Sequence, residues 1–296
     1  MMLSQVSCNI CKSNEYKVLI PGSPFRIVKC KRCGLVYKNP RLTEEEALKQ
    51  VESDGIIPEH RREVWHDSKI KLFERNLKRI EVLQAKGRLL DVGCGYGLFL
   101  KLALENGWQV WGVEPSRSAY EHAREEFKLD NIQKTTLRKA GFSENFFDVV
   151  TLWDVVALFY DPLAELKETR RILKPEGIVG IRVHNAIFQL FFQRLLRILA
   201  VINRKLKLKP SIFHPYTFSP KTIRKILERA GLEIIAIEVS EPTQGDPCLT
   251  GGALGAGGVQ LIKTAMHYAC KAIYYLTFRR LILSSAMLVF ARKPSK

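Results

Sequence analysis

The chain runs out of acid well before it ends. After Asp246 the 296-residue sequence contains no aspartate or glutamate, while Lys263, Lys271, Arg279, Arg280, Arg292, Lys293 and Lys296 remain. A long uninterrupted apolar run is missing too. Arg194 and Arg197 break one apolar tract and Lys263 and Lys271 the other, so neither supplies the roughly 20 predominantly apolar residues of a spanning helix. The opening residues, Met1-Met2-Leu3-Ser4-Gln5-Val6, show neither the basic start nor the apolar stretch of a secretory signal. The seven cysteines are odd in number and four of them form two tight pairs, which is not the pattern of a disulfide framework. These absences exclude a polytopic membrane protein and a secreted disulfide scaffold. The expectation is a cytoplasmic, reducing location, with peripheral contact at a membrane surface left open. A composition that is 46% hydrophobic and 26% charged also excludes a disordered tail and a collagen-like fibre.

The formal net charge is +17, and it is unevenly placed. Residues 1–184 carry 30 basic and 25 acidic side chains, whereas residues 185–296 carry 17 and 5. The C-terminal third is therefore expected to meet something anionic, an anionic membrane or substrate more readily than a nucleic acid.

Cys8-Asn9-Ile10-Cys11 and Cys30-Lys31-Arg32-Cys33 are two CxxC knuckles 18 residues apart. Each puts two thiolates on one tight turn, and two such turns joined by a hairpin make a tetrahedral sulfur cage for structural Zn2+. The spacer reads as strand, turn, strand: Tyr16 to Ile20, then Pro21-Gly22-Ser23-Pro24, then Phe25 to Val28. A redox site needs one CxxC rather than two. Beyond the ribbon, Thr43-Glu44-Glu45-Glu46 is a capping-type helix start, and Ile70, Phe73, Leu77, Ile80 and Leu83 follow at helical spacing.

Arg88 to Val92 is a short apolar strand running into Gly93-Cys94-Gly95-Tyr96-Gly97 and then a helical stretch. Strand, glycine turn and helix form a ligand-binding switch point, because glycines let the backbone approach a ligand. A second strand ends at Glu114, 23 residues after Asp91, where an acid is placed to accept both ribose hydroxyls of an adenosine. The position that would complete GxGxxG is Leu98, so a ligand without a pyrophosphate suits the loop better than a dinucleotide.

Leu89–Leu100 resembles motif I of class I S-adenosylmethionine-dependent methyltransferases. Val113-Glu114-Pro115-Ser116, Phe147–Asp154 and Arg171–Gly177 resemble later landmarks of that family, in order. The double CxxC followed by Gly34-Leu35-Val36-Tyr37 is similar to the zinc-ribbon subset. The resemblance implies an α/β fold with a Rossmann-like seven-stranded sheet, order 3-2-1-4-5-7-6 and the seventh strand antiparallel. Its strands would be 88–92, 109–114, 131–135, 147–153, 177–183, 232–240 and 286–292. The expected organisation is a zinc ribbon over 1–42, a helical linker and cover helix over 43–86, and a methyltransferase domain over 87–296. Amphipathic, basic insertions fall at about 185–216 and 245–283. They read either as a lid with apolar faces over the substrate pocket or as an interfacial membrane surface.

By the same resemblance Asp91, Gly93, Cys94, Gly95 and Gly97 surround the amino-acid end of S-adenosyl-L-methionine, and Glu114 and Pro115 lie at the ribose. Thr136 and Leu137 fall near the adenine, and Trp153 and Asp154 at the cofactor's edge. Where relatives often read Glu-His, this chain has Ala157-Leu158, which leaves His184 and His214 as candidate bases. The expected activity is methyl transfer to a small-molecule, sugar or lipid-linked acceptor. An RNA acceptor, or a non-catalytic membrane-surface adaptor that keeps the cofactor fold, remains open.

Overall fold

The computed structural model describes residues 2–53, 62–198, 213–243 and 255–295. The central sheet is built from β6 (Arg88–Val92), β7 (Gln109–Val113), β8 (Ile132–Gln133), β9 (Phe147–Trp153), β10 (Leu173–His184), β12 (Glu233–Ser240) and β13 (Ala286–Arg292). Its order is β12-β13-β10-β9-β6-β7-β8, which is the expected 3-2-1-4-5-7-6 read from the other edge. β13 pairs antiparallel with both β10 and β12, and the other neighbouring strands are parallel. In β6, β9 and β10 most side chains are buried, as expected of parallel strands covered on both faces.

One face of the sheet is covered by α2 (Arg62–Leu83) and α3 (Leu98–Glu105). Phe73, Leu77 and Ile80 of α2 share a buried cluster with Phe99, Ala103 and Phe290. The helical spacing that brings those α2 residues onto one stripe is legible in the sequence. The other face is covered by α5 (Pro162–Ile172) and α7 (Pro220–Arg229), with α6 (Ala186–Ile198) between them in the chain. Both covering helices start on sequence signals. Asp161 caps α5, its side chain accepting from the Ala164 amide at 3.1 Å, and Ser219 and Thr222 form a reciprocal capping box on α7.

The N-terminal cysteine region is a sheet of β2 (Tyr16–Ile20), β3 (Arg26–Cys30) and β4 (Val36–Asn39). A fourth strand, β11 (Tyr216–Thr217), comes from far along the chain and pairs with β4. The apolar interior of this small sheet is continuous with the main core: Ile10, Leu35 and Tyr37 share one buried cluster with Leu163, Ile226 and Leu227. Polar contacts add to this. The Asn9 side chain donates to Asp161 at 2.8 Å and accepts from the Leu163 amide at 3.0 Å. Arg229 donates to the Ile10 carbonyl at 2.5 Å, and Arg41 to the Tyr160 carbonyl at 2.7 Å.

The structure describes the two insertions only in part. Residues 199–212 and 244–254 of those insertions, and the side chains of Gln260 and Lys263, lie outside the described residues. In α8 (Gly255–Leu276) the polar His267 and the neighbouring Tyr274 are buried, while Leu261, Tyr268, Tyr275 and Leu276 are exposed. In α6 the polar Gln189 is fully buried and Phe191 is 62% exposed. α8 thus exposes Leu261, Tyr268 and Tyr275 while His267 is buried, whereas α6 buries Ala186, Phe188 and Phe192 along with Gln189 and exposes Ile187, Phe191 and Ile198. Among the described residues no helix is long and apolar enough to cross a membrane.

Candidate active site and cysteine cluster

The glycine loop follows β6 and leads into α3. Gly93, Gly95 and Gly97 all have positive φ, at 67°, 55° and 83°, a region that costs other residues. Space is short as well at two of them. A Cβ on Gly93 would lie 2.7 Å from Val155, and one on Gly97 would lie 2.8 Å from Leu129 and 2.9 Å from Ala123. The tight loop keeps its backbone against the ends of β6 and β7, with the Gly93 and Cys94 amides donating to the Val113 carbonyl at 2.8 and 3.2 Å.

Two buried carboxyls flank this loop. Asp91 accepts from the Thr151 hydroxyl at 2.7 Å. Burial pushes its pKa up to about 8, with the Thr151 bond opposing and the nearby Glu114 charge adding to the rise. Glu114 is 2% exposed and accepts from the Gly95 amide at 2.9 Å and the Ser116 amide at 2.8 Å. Burial raises its pKa, and the two amide bonds hold the rise back. Cys94 is buried in the loop, Pro115 is half-buried beside Glu114, and Leu137 is buried beside Val92 and Val113 with Thr136 half-buried before it. The expected cofactor residues from Asp91 to Leu137 thus converge on the carboxyl ends of β6, β7 and β8.

Trp153 and Asp154, at the end of β9, point different ways. The Trp153 indole packs into the helix-covered core, edge-on to Phe99 at 5.1 Å and tilted against Phe73 at 6.3 Å. Asp154 leaves the strand at φ 65° and sits in a cationic clamp. The Lys69 ammonium is 2.8 Å from one carboxylate oxygen, and Arg182 Nη1 is 2.6 and 2.7 Å from the two. Arg182, fully buried, also donates to Ser240 and to the Glu241 carbonyl, both at 3.0 Å. Burial alone would raise the Asp154 pKa, but Arg182 and then Lys69 outweigh it and hold the carboxyl far below its usual range. Asp154→Asn keeps an αL-tolerant residue of the same shape and strands two cations. We expect a loss of about 3–5 kcal/mol in urea unfolding; a loss under about 1 kcal/mol would mean that the clamp contributes little.

The two histidine candidates meet beside this clamp. The rings of His184, at the end of β10, and His214 stack at 5.2 Å and 10°. Burial, followed by the His184 charge, lowers the His214 pKa to about 4; Asp154 pulls the other way, and Lys38 adds a smaller lowering. Two residues that sequence reasoning missed, Lys69 and Arg182, complete the group. Arg182 did carry a signal, a lone charge inside the apolar run Gly177–Val183. Lys69 carried none, because a lysine on an amphipathic helix is ordinary.

The four N-terminal sulfurs all lie within 4.8 Å of one another, with Cys8 and Cys33 at 3.3 Å and Cys11 and Cys30 at 3.5 Å. A tetrahedral S4 site with about 2.3 Å metal–sulfur bonds requires edges of about 3.8 Å, so spacing and donor set both fit a metal ion such as zinc.

A family model described as a methyltransferase domain matches residues 59–237. The ubiquinone biosynthesis O-methyltransferase of Bradyrhizobium diazoefficiens is 33% identical over 129 residues, covering 42% of this chain and 50% of that protein. The chain spans about half the length of the curated relatives it matches. Among solved structures, a Haloferax volcanii methyltransferase complex that includes a methyltransferase activator aligns with a TM-score of 0.53 and 14% identity, covering 78% of this chain and 93% of that one. An S-adenosylmethionine-dependent methyltransferase of Thermotoga maritima aligns at 0.51 and 18%, covering 79% and 95%. At these identities the structural likeness speaks to the fold alone.

Proposed function

Because this chain belongs to the methyltransferase-domain family, we propose that it moves the methyl group of S-adenosyl-L-methionine to a small-molecule acceptor reached at a lipid surface. Glu114 carries the cofactor half of this reading. A carboxyl this buried, aimed at the Gly95 amide across a loop of left-handed glycines, suits ribose hydroxyls. The methyl group passes from the sulfonium to a nucleophilic acceptor atom in line, and alignment supplies much of the rate. S-Adenosylhomocysteine remains, and any acceptor proton leaves to a base or to water. His214, neutral at neutral pH because burial depresses it, and His184 are the candidate bases. The cysteine cage is assigned to structural Zn2+.

The acceptor half rests on relatives named for ubiquinone biosynthesis and on the outward apolar faces of α6 and α8. Phe191, Ile198, Leu276 and Phe278 are exposed near Arg194, Arg279 and Arg280, a pattern suited to an anionic interface. Titration calorimetry with S-adenosylhomocysteine tests the cofactor half, and folded protein that fails to bind it rejects the proposal. Transfer of labelled methyl from S-adenosyl-L-methionine into a lipid extract tests turnover; binding without transfer favours the adaptor alternative. Flotation with anionic phospholipid vesicles should be lost in the Phe191→Asp, Phe278→Asp double variant, and unchanged flotation rejects the membrane part.

Asp91 makes a pH prediction. An acid whose folded pKa is about 8, against about 3.9 unfolded, is protonated in the folded chain and ionised in the unfolded one between those values. Stability therefore falls as pH rises through that window. A cofactor ammonium beside Asp91 favours its ionised form, so binding should release a proton. S-Adenosylhomocysteine affinity should then rise with pH between about 6 and 8, approaching tenfold per unit, the slope for one linked proton. In Asp91→Asn the dependence should flatten. A dependence equally steep in both proteins excludes Asp91 as the source.

A further inference from the structure

The seam between the cysteine-bearing sheet and α6 holds polar groups that neither the cofactor loop nor the fold uses. Antiparallel register places Thr217 opposite Val36, and Lys38 opposite Ile27, so all four share one face of that sheet. This face meets α6, since Ile27 and Val36 cluster with Ala186 and Phe213, and Leu190 packs against them. Gln189 lies one turn on from Ala186, and the residue is fully buried. Among the described residues neither its amide nitrogen nor its amide oxygen has a hydrogen-bond partner, and the buried Thr217 hydroxyl has none. The Lys38 backbone amide is held by the Pro215 carbonyl at 2.9 Å, next to His214. Its ammonium lies 5.5 Å from the Phe25 ring centroid and has no carboxylate partner among the described residues. Burial lowers its pKa.

A buried amide and a buried hydroxyl without partners are each unfavourable, and a half-buried ammonium without a counter-charge adds to that cost. The surrounding charge is one-sided. Lys69 and Arg182 already close on Asp154, and Lys38 is a further cation near enough to His214 to act on its charge. A ligand that satisfied these groups would bring acceptor oxygens and negative charge.

We propose that this seam is the head-group subsite of the acceptor, and that it takes an anionic group, a carboxylate or a phosphate, on Lys38, Thr217 and Gln189. The inference deepens the methyl-transfer reading and rests on it for the word acceptor. It also gives the cysteine-bearing sheet a role at the reaction: it supplies the cation, while β11 holds His214 against it.

The test uses inorganic phosphate and benzoate as probes, titrated into the full chain with and without S-adenosylhomocysteine. At least one probe is expected to saturate, and the ring signals of His214 should titrate at higher pH when it does, because an anion favours the imidazolium. Saturation by phosphate alone assigns a phosphorylated acceptor, and saturation by benzoate alone a carboxylated one. Lys38→Gln should weaken the bound probe at least tenfold while S-adenosylhomocysteine affinity stays unchanged. The exposed-lysine control Lys71→Gln should do neither. Thr217→Val supplies a second variant with the sheet register intact, should Lys38→Gln fold poorly. No saturation by either probe, or saturation indifferent to both variants, overturns the subsite. Failure of S-adenosylhomocysteine to bind, with anion binding kept and dependent on Lys38, instead overturns the methyl-transfer reading and leaves the anion site standing.

Discussion

Chelation of metal from the four-cysteine cluster is expected to release the N-terminal sheet from the molecule and to carry the His214 segment with it. Structural zinc contributes about 10–16 kcal/mol in small zinc-binding peptides at neutral pH, as much as the whole net stability of about 5–15 kcal/mol of an ordinary domain. The β2–β3–β4 sheet has little interior of its own; its apolar residues share clusters with α5 and α7 on one face and with α6 on the other. Once the knuckles open, Asn9 no longer braces Asp161 and Leu163, and β11 loses β4 as its partner. Hydrogen exchange read segment by segment should show protection collapsing over Val36–Asn39 and Tyr216–Thr217. Protection over Arg88–Val92 and Phe147–Trp153 should be kept. Cys30→Ser should reproduce the pattern. A chelated protein that keeps its Val36–Asn39 protection shows that packing alone holds the sheet, and that metal is not its folding energy.

Replacing Glu114 with Ala is expected to weaken S-adenosylhomocysteine binding by roughly two to three orders of magnitude. Two effects combine. Hydrogen bonds from ribose hydroxyls to a carboxylate are worth about 1.5–3 kcal/mol each. The carboxylate also accepts from Gly95 and Ser116, so its removal loosens the loop that shapes the site. Glu114→Gln separates the two, because its amide oxygen can still accept one backbone bond. We expect it to bind more weakly than the native protein and more tightly than Glu114→Ala. Calorimetry gives the affinities, and circular dichroism checks that each variant is folded. A loss of less than about fivefold in folded Glu114→Ala removes the ribose assignment.

The places of the central strands were legible because each parallel strand is a short apolar run bounded by a glycine or an acid, whereas their order in the sheet came from the family resemblance alone. Arg88 to Val92, Gln109 to Val113 and Phe147 to Trp153 all fall where the spacing put them. The glycine loop was legible for a related reason, since three glycines at alternate positions signal a left-handed backbone, which the structure has. The helices at Pro162 and Pro220 start on caps, Asp161 and Ser219, each followed directly by a proline at the first helical position. The direction in which α6 and α8 face was not. Helical periodicity says which residues share a stripe and not which stripe meets the core, and here Gln189 and His267 went inward while Phe191 and Leu276 went outward.

The sequence by itself determined what depends on local backbone chemistry: the strand–glycine–helix turn, the acid at the tip of β7, the pairing of four cysteines into two knuckles, and the concentration of basic charge after residue 184. Only the tertiary structure decided which distant groups share a space. Lys69 and Arg182 lie 113 positions apart and close on one carboxylate. Tyr216 and Thr217 complete a sheet begun at Tyr16, which brings the Lys38 backbone against Pro215, next to His214. Electrostatic and packing energies depend on separation in space and on burial, quantities that a linear order of residues does not contain.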